Sequence, residues 1–118
     1  MTTYRGTPAA SLSRGRKFYA IRYIVGWPER GVIKVGSSFG KRRAYDYAIT
    51  GGDALLVDYY ATLTEALAAE RNLWRDLRGR YPMAFTDKES ARELIPRGGW
   101  MECLAIPVSD WGPALWPR

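Results

Sequence analysis

The chain contains no histidine and a single cysteine, Cys103. Without histidine there is no Ser-His or Cys-His catalysis, no His-ligated zinc, and no imidazole to act as general base at neutral pH. One cysteine excludes an intramolecular disulfide and a thiolate metal cage. Cys103 lies in an apolar stretch, MECLAIPV, where a small buried filler is expected rather than a nucleophile. No apolar run approaches the length of a membrane span, and the first residues lack the apolar core of a signal peptide. A cytoplasmic, non-membrane protein is therefore expected. Hydrolytic chemistry would have to rest on Tyr, Lys, Arg, carboxylates and a hard metal such as Mg²⁺.

What remains is an ordinary globular composition with a basic surplus. The 118 residues suffice for one domain with one packed core. Apolar residues make up 47% and aromatics 14%, which argues against disorder. Eighteen Lys and Arg stand against twelve Asp and Glu, a net charge of +6. That balance favours polyanionic partners, most simply nucleic acid.

The order of elements follows from periodicity and turn residues. Residues 1–15, rich in Thr, Ser, Gly, Ala and Arg, form a loose basic arm. Lys17 to Val25 is dense in aromatic and β-branched residues and reads as a strand. GWPERG (26–31) is a turn, and Val32 to Gly36 returns as the second strand of a hairpin. Ser37 to Gly40 is a loop, and Lys41 to Ile49 a helix ended near Gly51 and Gly52. Ala54 to Ala61 is a third strand. Thr62, with Glu65 three residues on, matches a capping box opening the helix Leu63 to Arg78. A shorter helix spans Lys88 to Leu94, and Trp100 to Val108 is the last strand. The tail 109–118 holds Trp111, Pro113, Trp116 and Pro117 and cannot be regular. Its tryptophans are either docked on the body or an exposed contact patch for a partner or a second copy. The fold class is α/β (α+β): a small central sheet flanked by helices, with a β-β-α-β-α core and a C-terminal helix and strand.

One residue breaks this pattern. Leu63, Ala66, Leu67, Leu73, Trp74 and Leu77 form the apolar stripe of their helix, and Glu70 falls on the same stripe. A carboxylate there must be paired, hydrogen-bonded, metal-bound or at the floor of a cleft, because unpaired burial is costly. Otherwise the stripe ends at Glu70, and the side chain reaches solvent or a core arginine. Lys41, Arg42 and Arg43 form a basic cluster that is either a solvated face or a phosphate contact. Arg43 and Tyr47, four apart, would share one helix face. Arg71, Arg75 and Arg78 read as a solvent face first and a second phosphate-binding surface second.

Taken together, Phe18-Tyr19-Ala20-Ile21, then Lys34-Val35-Gly36-Ser37-Ser38, a basic helix start and a later helical glutamate resemble the GIY-YIG nuclease superfamily. More narrowly, the chain is similar to the divergent phage and bacterial DNA-binding branch, whose second tripeptide is commonly Lys-Ile-Gly-like. The resemblance covers roughly residues 17–80, continues weakly around Trp100-Met101-Glu102, and makes 16–108 a single GIY-YIG-like domain. It implies a small endonuclease that hydrolyses DNA phosphodiester bonds with one divalent ion, Mg²⁺ or Mn²⁺, held by Glu70. The alternative it implies is a catalytically decayed module that binds DNA or a protein.

By the same resemblance Tyr19 is the tyrosine of the first tripeptide, and Lys34 stands where the second has tyrosine. Gly36 is the motif glycine, Arg43 the family arginine (one residue closer than usual), and Tyr47 the phenol following it. Arg16, Lys17, Ser37, Ser38, Lys41 and Arg42 would line the nucleic acid. If the chain is phage-encoded, it would act in the host cytoplasm.

Overall fold

The computed structural model describes the backbone of residues 3–5 and the whole of 19–116. Arg16 and Lys17 lie outside the described residues. Five strands form one sheet in the order β1-β4-β2-β3-β5: β1 (Thr3–Arg5), β2 (Ala20–Trp27), β3 (Val32–Phe39), β4 (Asp53–Tyr60) and β5 (Cys103–Ala105). The four strands β4-β2-β3-β5 are antiparallel throughout, and β1, within the segment expected as a loose arm, pairs in parallel with β4. Among the described residues three α-helices accompany them: α1 (Arg42–Asp46), α2 (Leu63–Arg78) and α3 (Lys88–Ala91). The result is the small mixed α/β architecture expected from the order of elements. No helix among the described residues is long and apolar enough to cross a membrane.

Alternation along the strands splits the core into two layers, because successive side chains leave a strand on opposite faces. On one face Ile21, Tyr23, Val25 and Trp27 meet Ala44, Val57, Tyr59, Phe85, Ala91, Leu94, Ile95 and Cys103. On the other, Ile24, Ile33, Val35 and Leu56 meet Leu73 and Leu77 of α2, together with Leu115 and Trp116. Helix α2 therefore covers the second face, and α1 and α3 cover the first.

Boundaries differ from the sequence reading where tertiary pairing overrides local composition. Strand β3 does not stop at Gly36 but continues through Ser37, Ser38 and Phe39, because β2 supplies backbone partners as far as Ala20↔Phe39. Hydroxyl side chains look like a loop, yet the ladder needs only backbone groups. The helix expected over 41–49 is α only to Asp46. It tightens to a 3₁₀ turn over Tyr47–Thr50, closed by Gly51 at φ 93°. The helix expected over 88–94 ends at Ala91.

The last expected strand shrinks to Cys103–Ala105, between a 3₁₀ turn at Trp100–Glu102 and Pro107. The tail is docked: Trp116 is buried, Trp111 half-buried, and the Trp111 indole donates to the Ile106 carbonyl at 3.0 Å. At the start of α2, the Glu65 amide donates to Thr62 Oγ1 at 3.1 Å, and that hydroxyl donates to Glu65 Oε1 at 3.0 Å.

One topological detail positions the site. Strand β5 pairs with β3 only over Val32–Lys34. Its own outer side is lined by residues 82–84, through Ala84 N–H to Cys103 O and Ala105 N–H to Pro82 O. Beyond Lys34, β3 has no strand on that side among the described residues, so the sheet edge steps inward from Val35 to Phe39.

Candidate functional site

Polar side chains from both faces of the sheet gather at this step. On the α2 face, Glu70 is half-buried, and one carboxylate oxygen accepts from Ser37 Oγ at 2.8 Å. Burial raises its pKa above the ordinary carboxylate value. The Ser37 hydrogen bond works against that rise, the Glu102 charge adds to it, and Lys34 and Arg71 oppose it. No described cation pairs with Glu70. A hydrogen-bonded carboxylate is among the alternatives open from the sequence, and Ser37 supplies that bond. It is not sealed by a core arginine: Arg22, the arginine of the sheet interior, pairs with Asp58.

On the opposite face Lys34 is 3% exposed, and its ammonium lies 2.6 Å from Glu102 Oε1. The same nitrogen sits 5.7 Å from the Tyr23 ring centroid and 5.9 Å from that of Tyr47, within cation–π range. Gly99, in the left-handed region at φ 88°, lets the chain pass close to this pair, since a Cβ there would stand 3.1 Å from Lys34 Cε. Tyr23 is buried directly across from Gly36. Burial, with the Tyr47 phenol second, pushes its pKa far above the ordinary phenol, so it stays a protonated hydrogen-bond donor. Arg43, exposed, is near enough for its charge to oppose that rise. The 3₁₀ turn after α1 carries Tyr47 against Trp27 and Tyr23, with ring centroids 5.5 and 6.2 Å apart.

Around this centre lies a rim. The Tyr19 ring is half-buried and rests on Tyr59, with centroids 4.9 Å apart, and Lys41 Nζ lies 5.9 Å from the Tyr59 ring. Ser38 Oγ donates to the Gly40 carbonyl at 3.0 Å. Arg42 points to solvent and pairs loosely with Asp46 at 3.8 Å. Of the residues singled out from sequence, Ser37 and Glu70 meet on the α2 face and Lys34 and Tyr47 on the other, where Arg43 also approaches Tyr23. Lys34 is near enough for its charge to reach Glu70, while Tyr19 and Lys41 meet on Tyr59 instead.

Two members were not anticipated, Tyr23 and Glu102. Tyr23 was legible in principle: a hairpin turned at residues 28–31 sets it opposite Gly36, and a glycine facing a tyrosine leaves room for the ring. Glu102 carries no periodic signal, and only the pairing of Cys103 with Lys34 brings it close. Cys103 is buried, and its thiol is pushed up to about 12, chiefly by burial, so it is an inert filler.

Among the described residues no three His, Cys, Asp or Glu side chains gather as a metal cluster. Glu70 with the Ser37 hydroxyl is instead a sparse, hard-oxygen donor set. A set of this kind could hold only a hard cation that keeps several of its waters. Neither protein-family models, nor curated protein sequences, nor solved structures give a match to this chain.

Proposed function

We propose that the protein is a small GIY-YIG-like endonuclease that hydrolyses DNA phosphodiester bonds with a divalent metal. The observation that carries this reading is Glu70. It is a half-buried carboxylate that no described cation neutralises, held by Ser37 at an open sheet edge. A site with no catalytic purpose has no reason to keep a desolvated charge there. In this reading Glu70 holds Mg²⁺ or Mn²⁺, which when bound would neutralise charge on the scissile phosphate and the leaving oxygen. Arg43, exposed and permanently charged, offers a bidentate contact to the same phosphate. Tyr47, half-buried, would donate a hydrogen bond that orients water or a phosphate oxygen, with the buried Tyr23 behind it. Tyr23 is not the base, because it remains protonated at neutral pH.

A second reading is a non-catalytic DNA-binding module of the same type. Lys34 favours it. The lysine stands where the family places a phenol, and it is buried in an ion pair with Glu102 rather than presented to a substrate.

Plasmid nicking in Mg²⁺ or Mn²⁺ separates the two readings, with Glu70→Gln as the diagnostic variant. Nuclease action is expected to fall by a factor of about 100 or more in that variant, with DNA binding kept. Wild-type protein that binds DNA but never cuts it in either metal leaves the binding module as the function.

A further inference from the structure

The basic surplus of the chain is not spread evenly. Arg22, Arg30, Lys34, Arg42, Arg80 and Arg92 each lie within ion-pair distance of a carboxylate. Arg71, Arg75 and Arg78 do not, nor do Lys41, Arg43, Lys88 and Arg97, among the described residues; of these, the three on α2 are exposed and share one helix. At about 100° per residue they fall within about 60° of one another, about 80–140° round the helix from Glu70. Apart from Glu70 itself, the helix's acidic residues, Glu65 and Asp76, fall together on the opposite flank, about 220–240° round from Glu70. A merely solvated helix surface gains from mixing its charges through pairs three and four residues apart, so segregation of this kind needs another reason. The stripe also begins next to the site, since Arg71 is near enough for its charge to reach Glu70.

We infer that Arg71, Arg75 and Arg78 form a rail for a nucleic-acid phosphate backbone that leads away from the Glu70 site along α2. This rests on the nucleic-acid reading above and adds to it where the flanking strand lies. Three guanidinium groups spread over about 10 Å of helix match the spacing of a few successive phosphates, each a hydrogen-bonding partner that arginine engages in fork geometry. Contacts of this kind position the substrate without reading its sequence. They should therefore appear as salt-dependent affinity and not as base preference.

The test is fluorescence anisotropy with a labelled duplex oligonucleotide across a salt series, in EDTA so that no cutting intervenes. The wild type is compared with the triple variant Arg71→Gln/Arg75→Gln/Arg78→Gln. A control triple variant, Lys88→Gln/Arg92→Gln/Arg97→Gln, removes equal charge on and after α3, which packs on the other face of the sheet. Each phosphate contact contributes about 0.9 to the slope of log affinity against log salt, so the α2 variant should lose about 2–3 from that slope. The control should keep most of it, and both variants should melt as wild type does by circular dichroism. An unchanged slope in the α2 variant, while wild type binds, overturns the rail and leaves the nuclease reading standing. An equal loss in the control overturns it too, because the effect would then be net charge alone. Wild-type protein with no salt-sensitive binding removes the nucleic-acid reading itself, and the rail with it.

Discussion

Glu70 illustrates how a single side chain can oppose the fold it sits in. Its carboxyl has a raised pKa, so the protonated form is the one the folded state favours. That contribution is present below the unfolded value of 4.5 and is lost as pH rises through the folded value, leaving an unfavourable charge at neutral pH. Glu70→Gln keeps an acceptor for Ser37 and removes the charge. Its melting temperature at pH 7 should exceed wild type by about 1–3 °C, the gain being small because the group is partly solvated. The difference should vanish below the unfolded pKa. A variant that melts lower at pH 7 would mean that the ionised carboxylate is structurally useful. Gly36 is a residue of the opposite kind, required by packing rather than chemistry. A Cβ at this position would overlap the Tyr23 ring. Gly36→Ala should cost about 1–3 kcal/mol in urea unfolding. In a Tyr23→Ala background the same change should cost less than about 0.5 kcal/mol, and equal costs in both backgrounds would refute the contact.

Among the elements, the ends of helices are controlled by residues whose role can be isolated. Asp87 caps α3 by accepting from the Ser90 amide at 2.8 Å, and that backbone bond is the main reason its pKa is lowered. A depressed carboxylate stabilises the fold above its unfolded value of 3.8, and the effect is lost as pH falls through the folded value. Asp87→Ala should therefore melt below wild type at neutral pH, with the gap closing as pH drops under 3.8. A gap that persists into strong acid would assign the effect to something other than the ionised cap. Helix α2 was legible in full, from the Thr62 cap to its last turn, because its stripe is long and its cap chemistry is local. Strand β3 was legible only to Gly36. Ser37 and Ser38 carry no strand signal of their own and are held by the pairing with β2. That distinction matters for the site, since Ser37 reaches Glu70 only because β3 keeps its pleat that far.

The tail is integral to the whole molecule. Trp116 and Leu115 are buried in the layer shared with α2 and β3, and the Arg80 guanidinium reaches the Leu115 carbonyl at 3.3 Å. Trp116→Ala should cost about 3–5 kcal/mol in chemical unfolding, a core-sized loss. A change under about 1 kcal/mol would place this tryptophan outside the core.

The sequence by itself determined the order of elements from β2 onward, the long helix with its cap, the inertness of Cys103, and the oddity of Glu70. Each of these is written in local periodicity or in residue chemistry. Tertiary structure alone decided which groups stand beside Glu70. β5 ends early, so β3 has no strand partner on that side beyond Lys34 among the described residues; the register sets Tyr23 against Gly36, and the turn before β5 carries Glu102 to Lys34. These are contacts between residues 13 to 68 positions apart, and no local pattern encodes them. They arise because packing two layers onto one sheet fixes which distant side chains must share the step at its edge.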